Sequence, residues 1–270
     1  MIFASDLDGT LIFSKKRFVD VPEDTEIILV EKKEQEEISY MTRRSIDILV
    51  NVDRMVTFIP ATTRTLEQYK RIAIFQEEIV PEFAITSNGG KILVKGEIDK
   101  QWEDYITAGM EKLSVPAEDT FKKLSEFMDD SWVLSYRLAD ELFWVFIVNK
   151  ENLPKDEMNS YIHWANENGW QVSIQGRKLY IVPEFINKWS ALNYLNQRLA
   201  CNIVISAGDS LLDYPLLKNS TRGYAPLNCE LKTYLDNERL TIPNLTFTQS
   251  SGIMAGEEIL KNLLEYLPYF

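Results

Sequence analysis

The opening stretch of the chain constrains its fold more than any other. An apolar run begins at Met1 and ends abruptly at Asp6-Leu-Asp8-Gly9-Thr10. This pattern predicts a buried parallel strand that delivers polar groups to the carboxyl edge of an open α/β sheet, where ligands bind. Two carboxylates one residue apart repel each other. We therefore expect Asp6 and Asp8 to act on a cation, a proton or an electrophile.

A calcium-binding loop is one structural alternative for this motif. An EF-hand requires glycine at its sixth position and glutamate at its twelfth, whereas Gly9 is fourth counted from Asp6 and the twelfth residue is Arg17. The EF-hand is therefore excluded, and a plain turn remains the alternative for the motif taken alone. In the functional interpretation, Gly9 frees the backbone to turn tightly and approach a phosphate.

Composition narrows the class of protein. With 270 residues, 45% of them apolar, the chain can bury a full core in one large domain or two smaller ones. The 41 acidic and 29 basic residues give a net charge of −12, which argues against nucleic acid or an anionic membrane as partner. An anionic substrate would therefore need a local cation.

The expected location is cytoplasmic. Cys201 and Cys229 match neither a disulfide framework nor a zinc pattern, and no basic and apolar leader precedes the first strand. No apolar stretch is long enough to span a bilayer.

Three later strands are also expected to end in small polar residues. Residues 55–59 precede Thr62-Thr63-Arg64, and residues 83–86 precede Ser87-Asn88-Gly89-Gly90. Residues 203–207 precede Gly208-Asp209-Ser-Leu-Leu-Asp213. Threonines at a strand end suit a phosphate oxygen, although helix capping alone would explain them. If the first and last of these strand ends are neighbours, Asp6, Asp8, Asp209 and Asp213 form an oxygen cage suited to Mg²⁺.

The middle of the chain has a different pattern. Aromatic-rich strands at 132–138 and 142–148, a helix at 155–168, and strands at 170–174 and 178–182 predict two antiparallel hairpins with helices. We predict an inserted domain at 91–183 in a core formed by 1–90 and 184–270. The charged segment 14–41 is expected to form a hairpin or flap whose glutamates are solvated. Lys188 is expected near a helix start, with a surface lysine as the alternative.

These residues together resemble the four motifs of the haloacid dehalogenase (HAD) superfamily. Asp6-Leu-Asp8-Gly9-Thr10-Leu11 is similar to the first motif, Thr62 to the second, Lys188 to the third, and Gly208-Asp209-Ser-Leu-Leu-Asp213 to the fourth. Order and spacing agree from end to end. The insert and the Asn88-Gly89 element resemble the Cof-type and sucrose-phosphatase-like branch, which carries a C2B cap.

The resemblance implies an α/β fold, with a Rossmann-like HAD core built on a parallel sheet and an inserted α+β cap domain of the C2B type. It implies a Mg²⁺-dependent phosphatase that hydrolyses a small phosphomonoester, expected to be a sugar phosphate, through an aspartyl-phosphate. Asp6 would be the nucleophile and Asp8 the general acid and base, its pKa raised by Asp6. Mg²⁺ would be held by Asp6, the Asp8 carbonyl, Asp209 and Asp213. The expected phosphate contacts are Leu7, Gly9, Thr10, Thr62, Thr63 and Lys188.

The organic part of the substrate should be recognised by the cap. Candidate contacts are Asn88, Arg137, Arg177, Lys178, Trp170 and Tyr180. Two residues depart from the branch pattern: Leu212 stands where asparagine is usual and Trp189 where glycine is usual. The partner is then a small phosphorylated metabolite, and oligomeric state is not fixed. A phosphomutase of the phosphomannomutase type and a non-catalytic phosphosugar-binding protein remain the alternatives.

Overall fold

The computed structural model describes residues 1–267 and contains a central parallel β-sheet. The sheet has five strands in the order β14-β13-β12-β1-β4, and all its pairings are parallel. The strands are β1 (Ile2–Ser5), β4 (Thr57–Pro60), β12 (Val204–Ala207), β13 (Arg222–Ala225) and β14 (Leu245–Phe247). Every residue of β1 is buried, as the apolar start of the chain predicts for a central parallel strand.

Helices cover both faces of this sheet. Successive side chains of a strand point to opposite faces, so a fully apolar strand such as β1 needs packing on both. Phe3 packs in one apolar cluster with residues of α1 (Arg43–Met55) and α9 (Ile253–Tyr266). Ile2 and Ala4 pack in another cluster with residues of α6 (Lys188–Leu199) and α7 (Tyr214–Asn219). The predicted α/β core with a parallel sheet is confirmed.

Two smaller sheets flank the core. The hairpin of β2 (Ile27–Lys33) and β3 (Glu36–Thr42) lies in the charged segment, where a hairpin was expected. The strands β5 (Phe83–Thr86), β6 (Lys91–Val94) and β7 (Glu97–Ile98) form an antiparallel sheet. A bridge between Ala61 and Ile85 connects that sheet to the end of β4.

The inserted unit is built on a four-stranded antiparallel sheet of order β10-β11-β9-β8. Its strands are β8 (Val133–Ala139), β9 (Phe143–Val148), β10 (Trp170–Gln175) and β11 (Lys178–Pro183), which form the two predicted hairpins. Its helices are α3 (Lys100–Leu113), α4 (Ala117–Ser125) and α5 (Lys155–Glu167). The division at residues 90 and 184 and the C2B type stay predictions.

The segment after β4 contains a short helix and a separate turn. The stretch from residue 65 contains α2 (Leu66–Lys70), followed by a separate 3₁₀ turn at Ala73–Phe75. The break occurs because Ile72 leaves helical geometry and is fully buried. The remaining helix is α8 (Glu230–Glu238). Within residues 1–267, no helix has both the length and the apolar character needed to cross a membrane.

Candidate active site

Three strand ends meet at one edge of the central sheet. In the register of the sheet, Ser5 of β1 lies beside Pro60 of β4 on one side and Ala207 of β12 on the other. The residues that follow these strands therefore share one edge, as the sequence predicts. This edge carries Asp6 from β1 and Asp209 from the loop after β12.

A buried lysine joins two of the predicted aspartates. Lys188 is the first residue of α6, and its Nζ lies 2.6 Å from Oδ1 of Asp6 and 2.6 Å from Oδ1 of Asp213. Its exposure is only 1%, so the surface-lysine alternative is wrong. Oδ2 of Asp213 accepts hydrogen bonds from the N–H groups of Asp209 and Ser210 and from the Ser210 hydroxyl. Asp213 thereby ties the loop after β12 to Lys188.

Two glycines allow these carboxylates to approach. A Cβ on Gly9, whose φ is +87°, would lie 2.4 Å from Oδ2 of Asp209. A Cβ on Gly208 would lie 2.5 Å from Cβ of Asp213. Both distances are far below van der Waals contact, so a larger residue at either position would displace an aspartate.

The cluster carries unbalanced negative charge. Oxygen atoms of Asp6, Asp209 and Asp213 lie within 4.8 Å of one another, and Lys188 is the cation that contacts the cluster. Burial raises the pKa of Asp6 to about 7, with Lys188 opposing the shift and Asp213 adding to it. Burial and the charge of Asp6 likewise raise the pKa of Asp209. A set of close carboxylate oxygens fits a hard divalent cation such as Mg²⁺.

The carboxylate of Asp8 is paired with Arg64 rather than with this cluster. Arg64 donates from Nε to Oδ2 at 2.7 Å and from a terminal nitrogen to Oδ1 at 2.8 Å. Burial alone would raise the pKa of Asp8, but the charge and hydrogen bonds of Arg64 outweigh it and lower the pKa to about 2. The expectation of a raised pKa for Asp8 is therefore wrong. The bidentate contact with the Arg64 guanidinium stabilises the ionised carboxylate more than the neighbouring aspartates destabilise it.

The hairpin of β2 and β3 contributes a buried acid to the same network. A terminal nitrogen of Arg64 lies 2.7 Å from Oε1 of Glu31, and Arg71 contacts the same oxygen at 3.3 Å. Ser39 donates to the other Glu31 oxygen at 2.9 Å. Glu31 is 1% exposed, so the expectation of a solvated glutamate is wrong for this residue. It holds for Glu37, which is exposed.

A cavity of about 360 Å³ opens onto the aspartates. We call it the main cavity. Its wall includes Asp6, Asp8, Gly9, Thr63, Asp209 and, from the inserted unit, Gln175, Lys178 and Tyr180. A second cavity of about 260 Å³, the side chamber, shares Asp8, Thr63, Lys178 and Tyr180 with it. The two cavities therefore adjoin, and the inserted unit forms part of the wall of both.

The predicted phosphate contacts differ in position. Thr10 donates its hydroxyl to Oδ2 of Asp6 at 3.2 Å. Thr63 lines the main cavity, whereas Thr62 is fully buried and its hydroxyl accepts the N–H of Arg64 at 3.1 Å. Leu7 is buried, and its carbonyl accepts three backbone N–H groups of the following turn. Thr63 is thus better placed for a ligand than Thr62.

Only some of the predicted substrate contacts line the two cavities. Arg137 lines the side chamber and Lys178 lines both cavities. Arg177 is exposed and lines neither. Asn88 is fully buried and donates to the Ile186 carbonyl at 3.1 Å, so it joins the two chain segments that lead into and out of the inserted unit. Among the aromatic candidates, Tyr180 lines both cavities, whereas Trp170 is fully buried.

Two positions that depart from the HAD branch pattern face the packed interior. Leu212 is 4% exposed and packs in the apolar cluster shared with α6 and α7. Trp189, beside Lys188, is partly buried against the same cluster. Leu212 therefore replaces a polar side chain with core packing, and it offers no hydrogen bond to Asp213.

Three residues that contribute to the site have no role in the prediction from the sequence, namely Glu31, Ser39 and Arg64. Arg64 was visible as a cation at a strand end, directly after the two threonines. Glu31 and Ser39 carry no local motif, because their role depends on how the hairpin packs against the core.

The family model of sucrose-6F-phosphate phosphohydrolase matches residues 1–256. No curated protein sequence matches the chain. The chain resembles the sucrose-phosphatase of Synechocystis, solved with sucrose and phosphate, at 17% identity over 98% of this chain and 97% of that one, with a TM-score of 0.69. It also resembles a HAD subclass IIB sugar phosphatase at 12% identity over 97% and 98%, with a TM-score of 0.56.

A HAD phosphatase of Bacteroides thetaiotaomicron is similar at 14% identity over 100% of this chain and 95% of that one, with a TM-score of 0.55. At these identities the structural likeness concerns the fold, while the family model matches the chain almost throughout. The chain therefore belongs to the sucrose-6F-phosphate phosphohydrolase family of the HAD superfamily, and it is a phosphoric monoester hydrolase.

Proposed function

We propose that this protein is a Mg²⁺-dependent phosphatase of a small sugar phosphate that works through an aspartyl-phosphate on Asp6. The observation that carries the proposal is the buried contact of Lys188 with both Asp6 and Asp213, close to Asp209, where Asp6 and Asp209 line the main cavity. This site would combine the three things that phosphoryl transfer requires: a nucleophile, a fixed cation and a set of metal-binding oxygens.

Asp6 attacks the phosphorus atom and the bond to the leaving oxygen breaks. Lys188 holds Oδ1 of Asp6 and Thr10 holds Oδ2, so the carboxylate is oriented before substrate arrives. Asp6, Asp209 and Asp213 would hold Mg²⁺, with the backbone carbonyl of Asp8. When bound, the ion neutralises charge on the transferring oxygens and keeps Asp6 ionised.

Asp8 moves the protons in this proposal. It donates a proton to the leaving oxygen and later takes one from the water that hydrolyses the aspartyl-phosphate. The pair with Arg64 favours the ionised form, which suits the second role. For the first role, a phosphoryl group between Asp6 and Asp8 adds negative charge and raises the pKa of Asp8. Because Arg64 contacts Asp8, its positive charge also lies close enough to attract the phosphoryl group of the substrate.

The test is phosphate release from a panel of sugar phosphates and p-nitrophenyl phosphate, with and without Mg²⁺. We expect Mg²⁺-dependent turnover in the wild type and in the control Asp104→Asn, which removes an exposed carboxylate of α3. Asp6→Asn should have no turnover and should give no acid-stable label from radiolabelled substrate. Turnover in Asp6→Asn would refute the nucleophile. Isomerisation dependent on a bisphosphate would favour the phosphomutase alternative.

The proposed partner is a small phosphorylated metabolite, and the proposed location is the cytoplasm. The free state of both Cys201 and Cys229 supports a reducing compartment.

A further inference from the structure

The side chamber has an excess of positive charge. Among the side chains that line it, Arg64 and Arg71 contact the carboxylates of Asp8 and Glu31. Two more cations, Arg137 and Lys178, line the same chamber, and within residues 1–267 neither has a carboxylate within 4.0 Å. Among the described residues, the one hydrogen bond of the Arg137 side chain goes to the neutral amide of Gln68 at 3.2 Å.

This arrangement is unusual for an acidic chain. The protein has 41 acidic and 29 basic residues, so an exposed cation has many carboxylates available as partners. Two cations left without such partners in one chamber create a local positive field that favours an anion. A neutral sugar hydroxyl would not require either charge.

The strand register explains why both cations point into the chamber. Arg137 of β8 lies opposite Val145 of β9, and Val145 lies opposite Tyr180 of β11. Lys178 lies opposite Ile147 of β9. Residues directly opposite each other on neighbouring strands share a face of the sheet, and so do residues two apart on one strand.

This shared face forms one wall of the side chamber. Arg137, Lys178 and Tyr180 stand beside the apolar side chains of Val145 and Ile147, and all of them line the chamber. The apolar side chains lower the local dielectric on one side of the two exposed cations, which strengthens their attraction to an anion. Asp8 and Thr63 of the core also line the chamber, so the chamber begins where the leaving oxygen would lie in the proposed reaction.

We propose that the organic part of the substrate carries a second anionic group, a carboxylate or a phosphoryl group, which Arg137 and Lys178 bind in the side chamber. This inference rests on the proposed function and narrows its substrate class. The group to be transferred lies at Asp6 in the main cavity, and the organic part extends past Asp8. The chamber volume of about 260 Å³ accommodates a small anionic substituent with its carbon atoms.

The test compares hydrolysis of esters in matched pairs. Glucose 6-phosphate is the neutral partner of glucose 1,6-bisphosphate, which adds a phosphoryl group, and sorbitol 6-phosphate is the neutral open-chain partner of 6-phosphogluconate, which adds a carboxylate. We expect wild-type kcat/KM to be about tenfold or more higher for one of the anionic esters than for its neutral partner, because a charge-assisted contact has at least that value. The preferred anionic ester identifies the second group.

Variants then assign the preference to the two cations. Arg137→Gln and Lys178→Gln should each lower the ratio of anionic to neutral kcat/KM about tenfold, mainly through KM for the anionic ester. Lys155→Gln removes an exposed cation at the start of α5 and should leave the ratio unchanged. An equal loss for both esters, or a wild-type preference for the neutral ester, would overturn the inference. Failure to hydrolyse any ester, p-nitrophenyl phosphate included, would instead overturn the proposed function.

Discussion

Replacing Glu31 by glutamine should destabilise the protein strongly although it changes few atoms. Glu31 accepts hydrogen bonds from Arg64, Arg71 and Ser39, and its side chain is fully buried. Together with Asp8 it balances two guanidinium groups. Glutamine removes one of the two negative charges. Arg64 keeps Asp8, but the partly buried Arg71 keeps only the exposed Glu67, at 3.8 Å, so we expect a cost of about 1–3 kcal/mol. For a chain of this size, that loss corresponds to about 2–12 °C in melting temperature.

The assay is thermal or urea unfolding of metal-free wild type, Glu31→Gln and Glu37→Gln. Glu37 is the matched control because it lies in the same hairpin, faces solvent and contacts the exposed side chain of Lys15. Its replacement should leave the midpoint unchanged. Turnover per folded molecule should also fall in Glu31→Gln, because Arg64 loses the contact that orients it toward Asp8.

An unfolding midpoint of Glu31→Gln equal to that of the wild type would refute this reasoning. It would mean that Arg64 and Arg71 do not depend on Glu31 for charge balance. A similar fall for both variants would point instead to a general effect of hairpin charge.

Other parts of the site lead to further predictions. Metal-free protein should lose stability as pH rises from about 4 to about 7, because the pKa of Asp6 is about 7 in the folded state but about 3.8 in the unfolded state. Urea unfolding at several pH values across that range measures the loss. Asp209→Asn should raise the melting temperature of the metal-free protein at about pH 8 and abolish any rise on adding Mg²⁺, since it removes one of three close carboxylates. Gly9→Ala should weaken Mg²⁺ binding in a thermal titration by about tenfold, because the new Cβ displaces Asp209. Asp140→Ala should lower the free energy of unfolding in urea by about 1–3 kcal/mol, because it removes a carboxylate of the inserted unit that accepts hydrogen bonds from the core. The control is Glu141→Ala, which removes an exposed neighbouring carboxylate and should leave the free energy of unfolding unchanged.

The parallel core could be predicted because its strands carry their own evidence. Each core strand at the site is a short apolar run that ends in small polar residues, and parallel strands present those ends at one edge. Asp6 and Asp209 therefore come together as expected. Lys188 could be placed at a helix start from the apolar spacing that follows it. Its burial could not, because that depends on two carboxylates from opposite ends of the chain.

The charge network around Asp8 could not be predicted for a specific structural reason. Strand alternation would place Val30 and Glu31 on opposite faces of the hairpin, yet both are buried. The pairing of β2 with β3 is irregular between Leu29 and Glu31, and an irregularity of this kind changes the direction in which a side chain points. Nothing in the local sequence distinguishes Glu31 from the exposed glutamates that follow it. The lowered pKa of Asp8 follows from its pair with Arg64, whose guanidinium also contacts Glu31.

The pairing of β1 with β12 has a consequence for how the chain folds during synthesis. Ile2 pairs with Val204, so the central strand lacks one neighbour until most of the chain has been made. The inserted unit, whose hairpins pair locally, is complete before that neighbour emerges. Domains generally fold as units from the N-terminus during translation. The inserted unit should therefore fold first, and a nascent chain stalled before residue 204 should present β1 as an open edge that binds chaperones.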